Sequence, residues 1–434
     1  MFVIPLLILC AILSVLIGRK CQVSVREGIV AVLMMFPMPL SEVVGFHFPV
    51  FISDLVPFLL FIVFYRRFPA NIFNDRVSQI AFLLLIVIPF TSVGASLIVQ
   101  NADDSRHYLY LYRKAAAFGF IYIAARNYRD INPIHIIKVG CIFWAFISLM
   151  GLLNYLGIYS LPSYIEEKDD DVKGSAFESY KLVRGFLAYN RGAIGLYGCI
   201  FIVFVFCKLV ILKVSPDPKW IKIVYVITAL ASMLNIIFSG TRTGVIVGAF
   251  VLCVLFFQYS WERKTISIGA IAILAVLAIS GYFVLSHLSQ NRFTQIESDN
   301  SLNARTVIQR IAIEHSFSNV GSFLIGNGIR PFAKINPAGF THAHSEYFDI
   351  LYLNGWFALV FYISLSVIFW FSFGRNQETR YILRGILMVG AIFGLTIGHY
   401  MVTEPRLASL SHFLLFCYSL AYFRNKNRLV KNDR

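Results

Sequence analysis

The chain has 434 residues, 58% of them apolar and only 14% charged, and its mean hydropathy is +0.71. A soluble domain usually carries about 25% charged residues, so an aqueous fold is excluded, and the long apolar runs also exclude a closed barrel, whose strands alternate over short segments. The net charge of +15 reads as an orientation signal rather than as nucleic-acid binding, since no recognition motif accompanies it.

In chain order, apolar runs long enough to cross a bilayer fall at 2–18, 29–42, 48–65, 78–98, 108–125, 134–157, 192–212, 220–238, 243–260, 265–286, 346–373, 380–400 and 406–423. Pro37 and Pro39 interrupt the second of them. Residues 29–65 therefore form either two short helices or one helix and a re-entrant piece, and the count is 12 or 13. The expected fold is an all-α polytopic membrane protein, a single membrane domain over residues 1–434. No basic residue precedes the run 2–18 and no small-residue cleavage site follows it, so it reads as a retained helix.

The basic residues sort the ends of these runs. Arg66, Arg67, Arg76, Arg126, Arg129, Lys213, Lys219, Arg263, Lys264, Arg375, Arg380 and the C-terminal Arg424, Lys426, Arg428, Lys431 and Arg434 share one face if each run crosses once. The positive-inside rule makes that face, and the C-terminus, cytoplasmic. Two long polar loops, 158–191 and 287–345, then fall together on the other face, where long loops tend to carry function. Six of the seven cysteines lie in apolar runs and none in these loops, so no disulfide framework is implied.

The outer face is rich in arginine: Arg106, Arg184, Arg191, Arg242, Arg292, Arg305, Arg310, Arg330 and Arg406. Orientation does not call for arginine there. Its planar fork binds phosphate oxygens in pairs and keeps its proton, which suits a diphosphate head group at the lipid–water boundary. Arg113 and Lys114 lie inside the run 108–125, where a cation either faces a cavity or partner or snorkels to the interface. Ser239-Gly240-Thr241-Arg242-Thr243-Gly244 is a short turn that puts Arg242 at the start of a helix, where free N–H groups favour an anion; Thr241 is a candidate cap.

Thr341-His342-Ala343-His344-Ser345-Glu346 closes the second loop. Ser345 reads as the N-cap of the next helix, with Glu346 and Asp349 in its first turn. The two histidines sit at the membrane mouth, and either can act as a general base near neutral pH. Asp169-Asp170-Asp171 resembles an acidic metal-holding run, although such runs are usually solvated. No phosphate-binding glycine loop or nucleophile elbow is present, so no nucleotide-driven step is indicated.

The Ser239–Gly244 stretch resembles the S-G-[ST]-R element of bacterial O-antigen polymerases and O-antigen ligases. The block 303–355 is similar to the same family: Arg305 and Arg310, then Leu324-Ile325-Gly326-Asn327-Gly328, His342-Ala343-His344-Ser345 and Asn354-Gly355-Trp356. Arg184 to Gly195 and Arg310 to Gly321 each resemble the family's R-x10-G spacing. Ser345 stands where the family commonly has Asn. Asn190-Arg191 stands where a proline turn often follows the first arginine.

The resemblance implies a GT-C-like, inverting, metal-independent glycosyltransferase of the bacterial inner membrane, with its long loops and active site periplasmic. Its donor and acceptor would be polyprenyl-diphosphate-linked oligosaccharides held in the lipid bilayer, with no cofactor, no nucleic acid and an optional chain-length regulator. His344, His342 and Arg305 are the candidate catalytic residues. Arg184, Arg191, Arg242, Arg310, Arg113 and Lys114 are the candidate diphosphate- and glycan-binding residues. A repeat-unit polymerase for O-antigen, capsule or exopolysaccharide is the first expectation. A ligase transferring glycan to a lipid A core is the second, and a lipid-linked oligosaccharide flippase the third.

Overall fold

The computed structural model describes residues 3–36, 55–56, 59–60, 73–100, 105–158, 191–212, 217–239, 241–263, 300–328, 343, 345–373, 376–395 and 405–432. Every regular element among them is helical. They are α1 (Val3–Lys20), α2 (Val25–Met35), α3 (Arg76–Phe82), α4 (Ile88–Gln100), α5 (Ser105–Asn127), α6 (Pro133–Tyr155), α7 (Arg191–Phe206), α8 (Lys219–Phe238), α9 (Arg242–Arg263), α10 (Asn300–Ser316), α11 (Val320–Ile325), α12 (Glu346–Ser372), α13 (Gln377–Phe393) and α14 (Pro405–Asn432). A π-helical turn, Leu83–Val87, joins α3 to α4, and another, Cys207–Ile211, extends α7.

Among the described residues, six helices are long and apolar enough to cross a membrane: Arg76–Ala95, Pro133–Leu153, Gly192–Ile211, Lys219–Phe238, Thr243–Arg263 and Glu346–Ser372. They coincide with six of the expected spans, and the chain is an all-α polytopic membrane protein. Helices α1, α5, α13 and α14 lie on four further expected spans. The span 265–286 and most of 48–65 lie outside the described residues, as does most of the loop 158–191.

The chain divides into two compact units. The first takes Met1–Val32, Ile137–Asp299 and Gln377–Phe393; the second takes Leu33–Ile136, Asn300–Asn376 and Gly394–Arg434. In the first unit, α7 is the central helix, and almost all of its residues are buried. Small residues let its neighbours approach: a Cβ on Gly244 of α9 would lie 3.2 Å from the Cα of Gly195 of α7. Such close backbone approach is a common basis of helix association in lipid, where no hydrophobic force drives it. Buried polar groups find partners across helices. The Trp144 indole donates to Ser232 Oγ at 2.9 Å and stacks on Tyr197, and the Asn235 amide donates to the Ser148 carbonyl at 2.9 Å.

Two lysines inside expected spans escape a hydropathy reading. Lys138 of α6 pairs with Asp217 at 2.5 Å. Lys208, in the π turn, reaches Glu378 at 2.6 Å and the other Asp217 oxygen at 3.3 Å, and the Tyr225 hydroxyl donates to Asp217 at 3.0 Å. Each buried ammonium thus meets a carboxylate, the arrangement that makes such a charge tolerable in lipid.

The second unit is organised by a break in α12. Gly355 has φ 78 and ψ −176, so α12 is two helical segments joined at that residue. The break frees carbonyls that other segments then satisfy. Asn327 N–H donates to Tyr352 O at 2.7 Å, Gly328 N–H to Leu353 O at 3.1 Å and Ser92 Oγ to Leu353 O at 2.5 Å. The crossing of backbones is very close. A Cβ on Gly355 would lie 2.4 Å from the Leu324 carbonyl oxygen, and one on Gly326 (φ 87) 2.4 Å from the Leu353 carbonyl. The Leu324–Gly328 and Asn354-Gly355 motifs are therefore two halves of one clasp, and glycine is required in each half because no side chain fits.

Candidate functional site

The site in the second unit is built on one face of α10. Arg305, Ile308, Ala312 and Ser316 recur at helical spacing. Ile308 and Ala312 are buried with Ala343, Tyr352 and Leu353, with Ile311 and Phe348 packed on the rim. Arg305 lies half-buried on this inner face. Arg310 is five residues further, about 140° round a helix of 3.6 residues per turn. It stands exposed, paired at 3.2 Å with Glu314, which is also exposed. The two arginines that the sequence groups together thus face different surroundings.

Ala343 is the residue between the two candidate bases. His342 and His344 lie outside the described residues. The alanine that separates them is fully buried in the α10–α12 cluster. Its N–H donates to Asp349 Oδ1 at 2.6 Å, one turn into α12. The Ala343 backbone is therefore held by a buried carboxylate, and its side chain shares a buried cluster with Ile308 and Ala312 of α10.

Ser345 occupies the N-cap position in extended conformation, as expected, but its hydroxyl does not cap the helix. It donates instead to the Gly394 carbonyl at 3.2 Å, which also accepts the Glu346 N–H at 2.7 Å. The helix start is thus held by a neighbouring backbone, and Glu346 and Asp349 occupy its first turn, both buried.

Helix α5 supplies the remaining groups. The Tyr110 hydroxyl and the Asn354 side-chain amide exchange hydrogen bonds at 3.0 and 2.7 Å. Lys114 is buried, its Nζ 5.0 Å from the centre of the Tyr110 ring and within electrostatic reach of Glu346. Arg113 is also buried, and its carbonyl contacts His412 Nε2 at 3.3 Å. Tyr110, Asn354, His412 and Asp349 were not singled out as site residues from sequence. Their roles depend on partners 244 to 299 residues away or on the turn at Ala343.

In the first unit, Arg191 and Arg242 each open a helix, α7 and α9. The contact of Gly195 with Gly244 and Thr241 makes these two helix starts neighbours. Thr241 precedes α9, its carbonyl accepting the Val245 N–H at 3.3 Å and its hydroxyl sharing a 2.7 Å bond with Ser239. Two helix N-termini thus lie side by side, and such ends carry partial positive charge. Arg184 and Asp169–Asp171 lie outside the described residues. Tyr347 makes an edge contact with Tyr362, ring centres 6.0 Å apart. Among the described residues, no cluster of three or more His, Cys, Asp or Glu is placed to hold a metal ion.

Residues 225–363 match the family described as O-antigen ligase. The matched region runs from α8 through the break in α12. It contains Arg242, Arg305, Arg310, both histidines and both clasp glycines. No curated protein matches the chain.

Proposed function

We propose that this chain, whose residues 225–363 match the family described as O-antigen ligase, is a repeat-unit polymerase moving a glycan from a polyprenyl diphosphate onto a lipid-linked acceptor at the periplasmic face of the inner membrane. The acceptor hydroxyl oxygen bonds to the anomeric carbon from the side opposite the diphosphate. The anomeric carbon–oxygen bond breaks, and the diphosphate leaves with the electron pair. The hydroxyl proton passes to His344 or His342, and the anomeric centre inverts. No metal, cofactor or nucleotide enters these steps, because the donor is already activated.

The observation that carries this reading is the seat of Ala343. Ala343 is buried in one cluster with Ile308 and Ala312 of α10, and Asp349 accepts its N–H; in this reading the flanking histidines work beside Arg305 of the same helix. That pairing supplies a base for the acceptor and a fixed cation for the charge that develops on the leaving group. Arg310, Arg184, Arg191 and Arg242 are assigned to diphosphate or glycan, and Lys114 and Arg113 to the positive field within the membrane. The C-terminus is cytoplasmic in this reading, and a chain-length regulator would act on the polymerisation step.

The description of the matched family favours a second reading, a ligase that transfers finished glycan to a lipid A core. Deleting the gene and analysing surface glycan separates the two. Core capped by a single repeat unit indicates a lost polymerase. Polymer accumulating on its lipid carrier indicates a lost ligase. Repeat units trapped in the cytoplasm indicate a lost flippase and would overturn both.

A further inference from the structure

We propose that the hydrocarbon layer ends at the break in α12, and that α10 and α11 lie in the interfacial layer beside it with an aromatic ridge turned into lipid. This inference does not depend on the reaction assigned above. Its partner is the bilayer itself, at the depth of the glycerol and upper acyl groups.

Exposure changes character at Gly355. From Glu346 to Gly355, eight of ten residues are buried and the other two half-buried, including the polar Glu346, Asp349 and Asn354. From Trp356 onward, one side of the helix is open: Trp356, Phe357, Val360, Ile363, Val367 and Phe371 are all exposed and apolar. A helix of a membrane protein that bares such a stripe meets acyl chains along it. The segment 356–372 has 17 residues, about 26 Å at 1.5 Å per residue, close to the roughly 30 Å of a hydrocarbon core. The second segment therefore nearly completes the crossing alone. Trp356 begins the stripe, the position where tryptophan gathers at a membrane boundary.

The stripe continues sideways onto α11 and the end of α10. Phe323 stacks on Trp356, with ring centres 5.8 Å apart and planes within 16°, and Phe317 lies 5.2 Å beyond Phe323. Phe317 and Val320 are 58% and 74% exposed, and Ile325 is exposed beside them. Neither α10 nor α11 is among the membrane-crossing helices. An apolar ridge on non-crossing helices, continuous with a lipid-facing stripe, fits an element lying in the interface with its apolar side sunk about 5–10 Å. Arg305 would then sit near head-group depth, since its helix face packs on Tyr352 and Leu353 just before the break.

The test places single labels in the full-length chain in phospholipid nanodiscs. Val320→Cys and, as the polar-side reference, Glu314→Cys are each labelled with an environment-sensitive maleimide fluorophore, with the unsubstituted chain as background. Both positions are exposed, so neither substitution disturbs the core. The label at 320 should emit to the blue of that at 314, and lipid carrying a shallow nitroxide should quench it about twofold more strongly than lipid carrying a deep one. Aqueous iodide should quench it weakly. Iodide quenching at 320 equal to that at 314, with no effect of nitroxide lipid, overturns the proposal. Stronger quenching by the deep nitroxide overturns it too, by placing α11 within the hydrocarbon.

Discussion

Two buried polar clusters, one in each unit, put charge to different use. In the first unit, Lys138, Lys208, Asp217 and Glu378 are bonded to one another, with Tyr225 completing the set. In the second, the bonds that define the cluster run from side chains to backbone: Asp349 to Ala343, Ser345 to Gly394, Ser92 to Leu353. The first arrangement ties helices together, and its carboxylates neutralise its ammonium groups where they stand. The second fixes the backbone at Ala343 and at the start and the break of α12. A buried charge network is thus not a sign of chemistry in itself. A buried carboxylate holding the backbone at Ala343, within the cluster built on α10, is the more informative pattern.

The largest effect on activity should come from the second cluster. His344→Ala should lower transfer by at least about 100-fold, the usual share of a general base, with the folded yield unchanged in size-exclusion chromatography. If only His342→Ala is inactive, the base is the other histidine. Asp349→Ala should follow, reducing turnover about tenfold or more by freeing the histidine backbone. Asp349→Asn keeps an acceptor oxygen and should recover most of that loss; equal loss in both would mean that the charge, not the hydrogen bond, is needed.

The first cluster should show the opposite balance. Lys208→Met leaves two carboxylates short of a buried cation and should destabilise the protein by about 3–5 kcal/mol. Thermal unfolding in nanodiscs would report this, while turnover per folded molecule stays near that of the parent. A specific loss of turnover would instead tie this cluster to the reaction. Within α10 a smaller contrast is expected. Arg305→Lys keeps charge but loses the paired hydrogen bonds and should shorten polymer, with activity down about tenfold. Arg310→Lys, at an exposed position, should change activity less than about threefold. Equal sensitivity would show that the exposed arginine also touches substrate. The smallest expected effect is none: EDTA should leave transfer unchanged, and inhibition reversed by a divalent metal would return attention to Asp169–Asp171.

The clasp also shows how far sequence patterns reach. The glycines at 326 and 355 were visible as motif positions, but the reason for them was not. It lies in two backbones crossing where a Cβ would come within 2.4 Å of a carbonyl. The family resemblance gives Arg305 and Arg310 different roles, and the burial of Ile308 and Ala312 on the Arg305 face, with Arg310 exposed, distinguishes their surroundings. Ser345 was placed correctly at the helix start, but its hydroxyl serves a different backbone.

The amino-acid sequence by itself determined the solvent this protein lives in, the class of its fold, and six of its membrane crossings, because long apolar runs have no stable place in water. It also marked arginines and histidines outside those runs as candidate chemistry. Tertiary structure decided which groups meet: Lys138 and Lys208 with Asp217, Tyr110 with Asn354, Ala343 with Asp349. Hydropathy is additive along the chain and can be read locally. Pairing of buried polar groups depends on the folded path of the chain, whether the partners stand six residues apart, as Ala343 and Asp349 do, or 244, as Tyr110 and Asn354 do, and hydropathy does not encode it.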